Sequence, residues 1–80
     1  MNGIGWAVKE MQNGSRVRRA GWNGKNMFLF YVTGGEMEHP AVPAATAALP
    51  YAAMRTAQGD AVPWLCSQTD LFALDWELAE

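Results

Sequence analysis

The chain has 80 residues, of which half are apolar, and its formal net charge at pH 7 is −2. This length and composition predict one globular domain, residues 1–80, rather than a disordered chain. The acidic balance argues against general binding of DNA or RNA, for which a domain pI above about 9 is typical. A single cysteine, Cys66, excludes an intrachain disulfide framework. Neither a signal peptide nor a window of about 20 apolar residues is found, so we expect a cytoplasmic protein without a membrane span.

Charge is unevenly distributed along the chain. Residues 1–35 hold five basic residues and one acidic residue, whereas residues 36–80 hold one basic and seven acidic residues. An acidic protein with a local basic cluster suits a small anionic ligand better than a long polyanion. The alternative is a solubilising surface with scattered ion pairs.

The first predicted element is a short amphipathic helix. Apolar residues recur there with helical spacing at Ile4, Ala7, Val8 and Met11. Asn2 is expected to cap its start, and Asn13-Gly14 to end it. Trp6 falls outside the apolar stripe, so we expect it to face solvent or another subunit.

Two strands are predicted next, over Ser15–Arg19 and Met27–Val32, with a loop at residues 20–26 between them. Both faces of the second strand are apolar, so both must be covered. The helix can cover one face. A domain of this size buries only about 60% of its unfolded surface, and a second subunit is the hypothesis for the other face.

Residues 36–50 are rich in proline and alanine, and their three prolines argue against a long helix or a paired strand. We therefore expect an unpaired surface connection, with room for one helical turn at residues 44–48. A hairpin follows, with strands at Tyr51–Ala57 and Ala61–Trp64 and a turn at Gly59. Pro63 cannot donate a ladder hydrogen bond, so the second of these strands is expected to be short or to lie at an edge.

The C-terminal part begins with a capping pattern, in which Ser67 precedes Asp70 by three residues. The apolar side of one or two helical turns is expected from Leu71, Phe72 and Leu74. Residues 76–78 are predicted to form the last strand, with Trp76 in the core.

Catalytic and metal-binding patterns are weak. The only histidine, His39, is expected to be a solvated loop residue, and Cys66 a small buried hydrophobe. These two residues fall short of a usual metal-ligand set. Asp70 is expected to cap a helix, and Asp75 and Glu77 to face solvent. We therefore predict no enzyme activity, no metal and no cofactor.

A binding function fits the residues better. Trp22 lies beside Asn23 and Lys25, and Trp64 precedes a polar run at residues 67–70. An aromatic face can stack a nucleobase, for roughly 1–3 kcal/mol per base. Amides and carboxylates can form hydrogen bonds with a base edge or a ribose, and basic residues can bind phosphates. Burial in the core or in a subunit interface remains the alternative for both tryptophans.

Two segments resemble one known family. The stretches GWNGKNMFLFYV (residues 21–32) and VPWLCSQTDLFALDW (residues 62–76) are similar to GWNGKGMFL and VPWLASQTDLLAEDW in short phage and bacterial proteins. Those are the Thoeris anti-defence proteins of the second type. MRTAQGD (residues 54–60) also resembles the family's MKTADG. The chain departs from the family at Asn26, usually glycine, and at Ala53, often acidic.

The resemblance implies a function that spacing alone does not. Members of the family are sponges that bind, without cleaving, a cyclic ADP-ribose-type signal made by a TIR-domain enzyme of the host's Thoeris system. Some relatives also hold cyclic dinucleotides at a separate site. The implied fold is α+β, with a small antiparallel sheet, an N-terminal helix and one or two short helices. The implied assembly is a homotetramer, a dimer of dimers, acting in the host bacterial cytoplasm with its signal pocket between protomers.

The resemblance also implies which residues bind the signal. Trp22 and Trp64 would pack on adenine or ribose, and Asn23, Thr69 and Asp70 would form hydrogen bonds to base or ribose. Arg18, Arg19 or Lys25 would face the diphosphate. The full implied set is Trp22, Asn23, Lys25, Arg18, Arg19, Trp64, Ser67, Gln68, Thr69 and Asp70. The alternatives are a phage structural or assembly oligomer without a ligand and a small hydrolase of a nucleotide signal.

Overall fold

The computed structural model describes residues 1–22 and 25–79, and over these ranges it contains two α-helices, one 3₁₀ turn and seven strands. Helix α1 spans Ile4–Gln12, α2 spans Gln68–Leu71, and the 3₁₀ turn is Ala20–Trp22. The strands are β1 (Val17–Arg19), β2 (Phe28–Val32), β3 (Gly35–Met37), β4 (Thr46–Ala48), β5 (Tyr51–Arg55), β6 (Ala61–Pro63) and β7 (Trp76–Leu78). No helix in these ranges is long and apolar enough to cross a membrane.

Within the described ranges, five strands form an antiparallel sheet in the order β6-β5-β2-β1-β7, and β3 and β4 form a separate two-stranded sheet. The predicted α+β class with an antiparallel sheet is therefore confirmed. The hairpin β5–β6 is also confirmed, with Gly59 at a φ of +97° in its turn. Pro63 lies on β6, which is an edge strand, so its missing N–H interrupts no ladder.

The two faces of the sheet differ in composition because successive side chains on a strand point to opposite sides. One face carries Val17, Leu29 and Trp76, which are buried together with Ala7 and Met11 of α1. We call this the helix face. The opposite face, which we call the arginine face, carries Arg16, Arg18, Phe28, Phe30 and Arg55. The register places Arg55 opposite Phe28 and Arg18 opposite Glu77.

The helix begins differently from the prediction. Its N-cap is Gly3, which supplies no side-chain hydrogen bond. Asn2, the predicted cap, instead donates from Nδ2 to the carbonyl oxygen of Trp76 at 3.1 Å, and its main chain bridges the strand end at Asp75. The sheet edge therefore takes the side chain that was expected to cap the helix. The predicted end at Asn13-Gly14 is confirmed, because Gly14 has a φ of +93°.

Two predictions about the faces of α1 are wrong. Trp6 is half-buried and packs against the core instead of facing solvent, while a contact of its exposed part with another subunit stays a prediction. Its indole is large enough to reach the core from the flank of the helix. Val8 was placed on the buried stripe but is exposed. The positions fully buried against the sheet are Ala7 and Met11, whose small and flexible side chains allow close packing.

The predicted unpaired connection at residues 36–50 is also wrong. Thr46–Ala48 pairs with Gly35–Met37 as a strand, where a helical turn was expected. Proline restricts its own position and the one before it, and Pro40 and Pro43 both lie in the loop between the two strands. Ala45 enters the left-handed region with a φ of +64° and helps the chain to reverse.

The apolar residues around α2 do not pack as predicted. Leu71, Phe72 and Leu74 are all exposed, with Phe72 at 75% and Leu74 at 56% of their full surface. Leu65 is 91% exposed, and Cys66, predicted to be buried, is also exposed. The helix has only four residues and one turn, so it cannot fold an apolar side back onto the sheet.

Candidate functional site

Three tryptophans from distant parts of the sequence form one cluster on the helix face. Trp76 is 1% exposed and lies between Trp22 and Trp64, which are both half-buried. The ring centroid of Trp76 is 5.6 Å from that of Trp22 and 5.9 Å from that of Trp64, with interplanar angles of 83° and 85°. Edge-to-face pairs of this kind contribute about 0.5–1.5 kcal/mol beyond the area they bury. The two outer indoles are thus fixed in place and keep part of their surface accessible.

The turn that opens α2 is attached to this cluster. The Ser67 hydroxyl accepts a hydrogen bond from the Asp70 amide at 3.1 Å, which confirms Ser67 as the cap. The Asp70 carboxylate, which was also expected to cap the helix, bonds Arg19 instead. It also lies 3.0 Å from the Thr69 hydroxyl. The indole N–H of Trp76 donates to the Asp70 carbonyl oxygen at 3.2 Å. The exposed polar groups at residues 67–69 are therefore held at a fixed position beside the tryptophans.

Arg19 connects this turn to the sheet. Its Nη1 lies 2.6 Å from an oxygen of Asp70, and its Nε and Nη2 face the carboxylate of Asp75. The hydrogen bond from Arg19 lowers the pKa of Asp75, and the bonds from Asp75 and Asp70 raise the pKa of Arg19. Asp75 is exposed, as expected, and it is also one half of a carboxylate clamp on Arg19. The guanidinium is thus oriented by the protein's own carboxylates.

The other predicted cations lie in different surroundings. Arg18 is on the arginine face and pairs with Glu77 at 2.9 Å. Lys25 is exposed in the turn after Trp22, and its backbone N–H donates to the Trp22 carbonyl oxygen at 3.1 Å. Asn23, also a predicted binding residue, lies outside the described residues.

The structure therefore brings together most, though not all, of the predicted set. The residues joined by direct contacts through Trp76 and Asp70 are Trp22, Trp64, Ser67, Thr69, Asp70 and Arg19. Gln68 is exposed on α2 beside them, and Arg18 lies on the other face. Trp76 and Asp75 were missed as parts of this arrangement. Both residues lie at the end of the second motif. The adjacent aspartate and tryptophan there were the sequence signal that could have indicated their part in the site.

The nucleophile and metal-ligand candidates of the sequence are not assembled into one site in the described residues. The Cys66 thiol contacts the Ser67 carbonyl oxygen at 3.5 Å. Although Cys66 is exposed, desolvation of its thiol, and then the charge of Asp70, raises its pKa, which disfavours the thiolate that a nucleophile needs. His39 lies in the β3–β4 loop, where its Nδ1 accepts a hydrogen bond from the Ala41 amide at 3.0 Å. Over residues 1–22 and 25–79, no three acidic, histidine or cysteine side chains are grouped to hold a metal ion.

Comparison with known proteins gives two matches that cover nearly the whole chain. The sequence pattern of the Tad2-like family, described as the Thoeris anti-defense 2-like domain, matches residues 2–79. The protein Thoeris anti-defense 2 of Bacillus phage SP01 is 32% identical, over 94% of this chain and 91% of its own length. The family match, over residues 2–79, includes the two tryptophan-bearing segments that meet at Trp76.

Proposed function

This chain belongs to the Tad2-like family of Thoeris anti-defense 2-like domains, and from that membership we propose that it is a phage anti-defence sponge. In this proposal it binds a cyclic ADP-ribose-type signal made by a host TIR-domain enzyme of the Thoeris system. It holds the signal without cleaving it, inside the host cytoplasm, so that the effector stays inactive. Residues 1–80 act as one signal-binding domain.

The observation that carries the proposal is the meeting of the two motifs at Trp76. Trp22 comes from the first motif and Trp64 from the second, and both pack edge-on against that buried ring. Two fixed and partly accessible indoles beside the hydroxyls of Ser67 and Thr69 provide stacking surfaces and polar groups together. Stacking of a base or ribose on such a surface contributes roughly 1–3 kcal/mol per base.

The proposed roles follow from the resemblance to the family and, for the described residues, from how each group is already bonded. Trp22 and Trp64 stack on adenine or ribose, while Asn23, Thr69 and the free carboxylate lone pairs of Asp70 accept or donate hydrogen bonds. The Ser67 hydroxyl and the Gln68 amide complete the polar rim.

Among the three candidate cations, Lys25 is proposed to face the diphosphate. Arg19 is engaged by Asp70 and Asp75, and Arg18 is engaged by Glu77. Their charges are therefore already compensated, and both arginines act as positioning residues. Lys25 is exposed and forms no ion pair within the described residues.

The proposed assembly is a homotetramer, a dimer of dimers, with the signal enclosed between protomers. The exposed apolar side chains next to the α2 turn support self-association, because Leu65, Phe72 and Leu74 find no cover in the described chain. Enclosure would strengthen the electrostatic contacts to the signal by excluding water.

Capture and release tests this proposal against its alternatives. The protein is incubated with the product of a Thoeris TIR enzyme, separated from free signal by filtration, heated, and the supernatant analysed by mass spectrometry. Intact signal released on heating is the expected result. Chemically altered signal would mean a hydrolase, and signal that never left the filtrate would mean a structural or assembly oligomer. Repeating the assay with a cyclic dinucleotide tests the second ligand class of the family.

The matched variants are Trp22→Ala and Trp22→Phe. The alanine variant should lose capture while its oligomer survives in size-exclusion chromatography, and the phenylalanine variant should keep part of the capture by retaining an aromatic face. Dissociation of the Trp22→Ala oligomer would show instead that Trp22 is an interface residue.

A further inference from the structure

The arginine face holds an aromatic ring with a guanidinium near it on two sides. The Cζ atom of Arg16 lies 4.9 Å from the ring centroid of Phe28, and that of Arg55 lies 6.0 Å away. Phe30 continues the aromatic surface, with its centroid 6.1 Å from that of Phe28. A cation this close to a ring face is held in position without loss of its charge.

The charges of these two arginines are not compensated by the neighbours that the structure describes. Within residues 1–22 and 25–79, the ion pairs involve Arg18 and Arg19, and no carboxylate lies within 4.0 Å of Arg16 or Arg55. Arg55 donates from Nη1 to the carbonyl oxygens of Asn26 at 2.8 Å and Thr56 at 3.4 Å. Carbonyl oxygens orient the guanidinium but do not neutralise it, and its remaining N–H groups can bind a ligand.

Two surface concavities meet at these side chains. One has a volume of about 260 Å³ and is lined by Arg16, Arg18, Asn26, Phe28 and Arg55, among others. The other has a volume of about 440 Å³ and is mainly apolar, lined by Arg16, Phe28, Phe30, Arg55, Gly59 and Ala61. The smaller concavity is polar, and the larger one can accept a ring. Arg16 and Arg55 line both concavities. Sites for small molecules typically measure about 300–1,000 Å³.

We propose that the arginine face binds a terminal phosphate carried on a planar ring, as in a nucleoside monophosphate. A terminal phosphate carries about −1.5 to −2 charges at neutral pH, which matches two guanidiniums that have no carboxylate partner among residues 1–22 and 25–79. Each guanidinium can donate two parallel hydrogen bonds to phosphate oxygens. The ring lies against Phe28 and Phe30 in the larger concavity. This site is on the opposite side of the sheet from the tryptophan cluster and does not depend on the sponge function.

A second copy of the chain is a poorer occupant of this face. In a symmetric contact the same patch appears on both subunits, so Arg16 and Arg55 would meet the same cations of their partner. Like charges brought together at an interface are unfavourable. A ligand that supplies negative charge removes this conflict, and the larger concavity gives its ring an apolar surface.

The test uses the full chain and a pair of probes, adenosine 5′-monophosphate (AMP) and 3′,5′-cyclic AMP. The two share a base and a ribose, but only AMP has a terminal phosphate. We expect AMP to bind about tenfold more tightly, because it offers a second charge to the guanidiniums. In NMR titrations AMP should shift the side-chain Nε–H signals of Arg16 and Arg55. The indole N–H signals of the tryptophans report the other face and should stay in place.

Three charge-matched variants complete the test. Arg16→Gln and Arg55→Gln should each weaken AMP binding by about tenfold. Lys9→Gln removes the same charge from the exposed side of α1 and should leave it unchanged. Arg16 is exposed, so its variant tests the site without risk to the fold. Equal affinity for the two probes, shifts at the indoles instead of the arginines, or self-association through this face would each overturn the proposal.

Discussion

The two faces of the sheet differ in their arginines: Arg19 on the helix face and Arg18 on the arginine face are paired with carboxylates, whereas two further arginines of the arginine face are not, among the described residues. On the helix face, Arg19 is held by Asp70 and Asp75, and its charge serves to fix the α2 turn beside the tryptophans. On the arginine face, Arg16 and Arg55 rest on Phe28 without a carboxylate partner among the described residues. An arginine paired with a carboxylate of its own chain stabilises the fold. An arginine that lies on an aromatic ring without such a partner can still bind an anionic ligand.

The largest expected effect is on stability, at the centre of the helix face. Trp76→Ala should cost about 3–5 kcal/mol of unfolding free energy, because it removes a buried ring and two edge-to-face contacts. Domains of this kind have only about 5–15 kcal/mol in total. Urea unfolding followed by far-UV circular dichroism measures the loss. Phe30→Ala, on the arginine face, should cost clearly less because Phe30 is only half-buried. If the two variants lose the same unfolding free energy, the side chains on the two faces are buried to the same extent, contrary to this account.

The next effect is on signal binding. Trp64→Ala should weaken binding by roughly 5- to 150-fold, the equivalent of one stacked base, while far-UV circular dichroism shows a folded chain. Trp64→Phe should recover part of the affinity. Arg16→Gln is the control from the other face and should leave signal binding unchanged. If Arg16→Gln weakens binding as much as Trp64→Ala does, the division of roles between the faces is wrong.

A smaller effect is expected at the cap of α2. Ser67→Ala removes the acceptor for the Asp70 amide and should cost about 0.5–2 kcal/mol, as at other N-caps. Hydrogen exchange of that amide should speed up while amides of β5 remain protected. Exchange that is unchanged at Asp70 would show that its carbonyl bond to Trp76, rather than the cap, holds the turn.

The smallest effect concerns pH. Because the pKa of Asp75 is lowered in the folded protein by its bond from Arg19, the ionised carboxylate favours folding. This contribution is fully present above the unfolded-state value of about 3.9 and is lost as pH falls through the lower folded value. Asp75→Asn should therefore flatten the fall in melting temperature below about pH 4. If the melting temperature of Asp75→Asn falls below pH 4 as steeply as that of the native chain, other carboxylates cause the loss of stability in acid.

Much of this fold could be predicted because local signals agreed with the tertiary structure. The hairpin around Gly59, the cap at Ser67 and the apolar β2 strand each depend on neighbouring residues alone. The β3–β4 pair could not be predicted, since it depends on two short segments that meet only after the loop closes. Asn26 also has a local reason: its φ is +54°, a left-handed conformation that asparagine tolerates.

The candidate site was predictable as a set of residues but not as an arrangement. Trp22 and Trp64 stood out because each lies in a polar loop, yet nothing in their spacing placed Trp76 between them. The clamp of Arg19 by Asp70 and Asp75 depends on the pairing of β1 with β7, which brings together the two ends of the chain. Long-range pairings of this kind determine which cations are free to bind a ligand.

The central claim is that the tryptophan cluster holds an intact cyclic ADP-ribose-type signal. Isothermal titration of the purified signal into the native protein and into Trp22→Ala tests it most directly. We predict a dissociation constant near nanomolar for the native protein, about −12 kcal/mol, the loss of most of that affinity in the variant, and unchanged signal in the recovered solution. Native protein that gives no binding heat, or a variant that binds as tightly, would contradict the account.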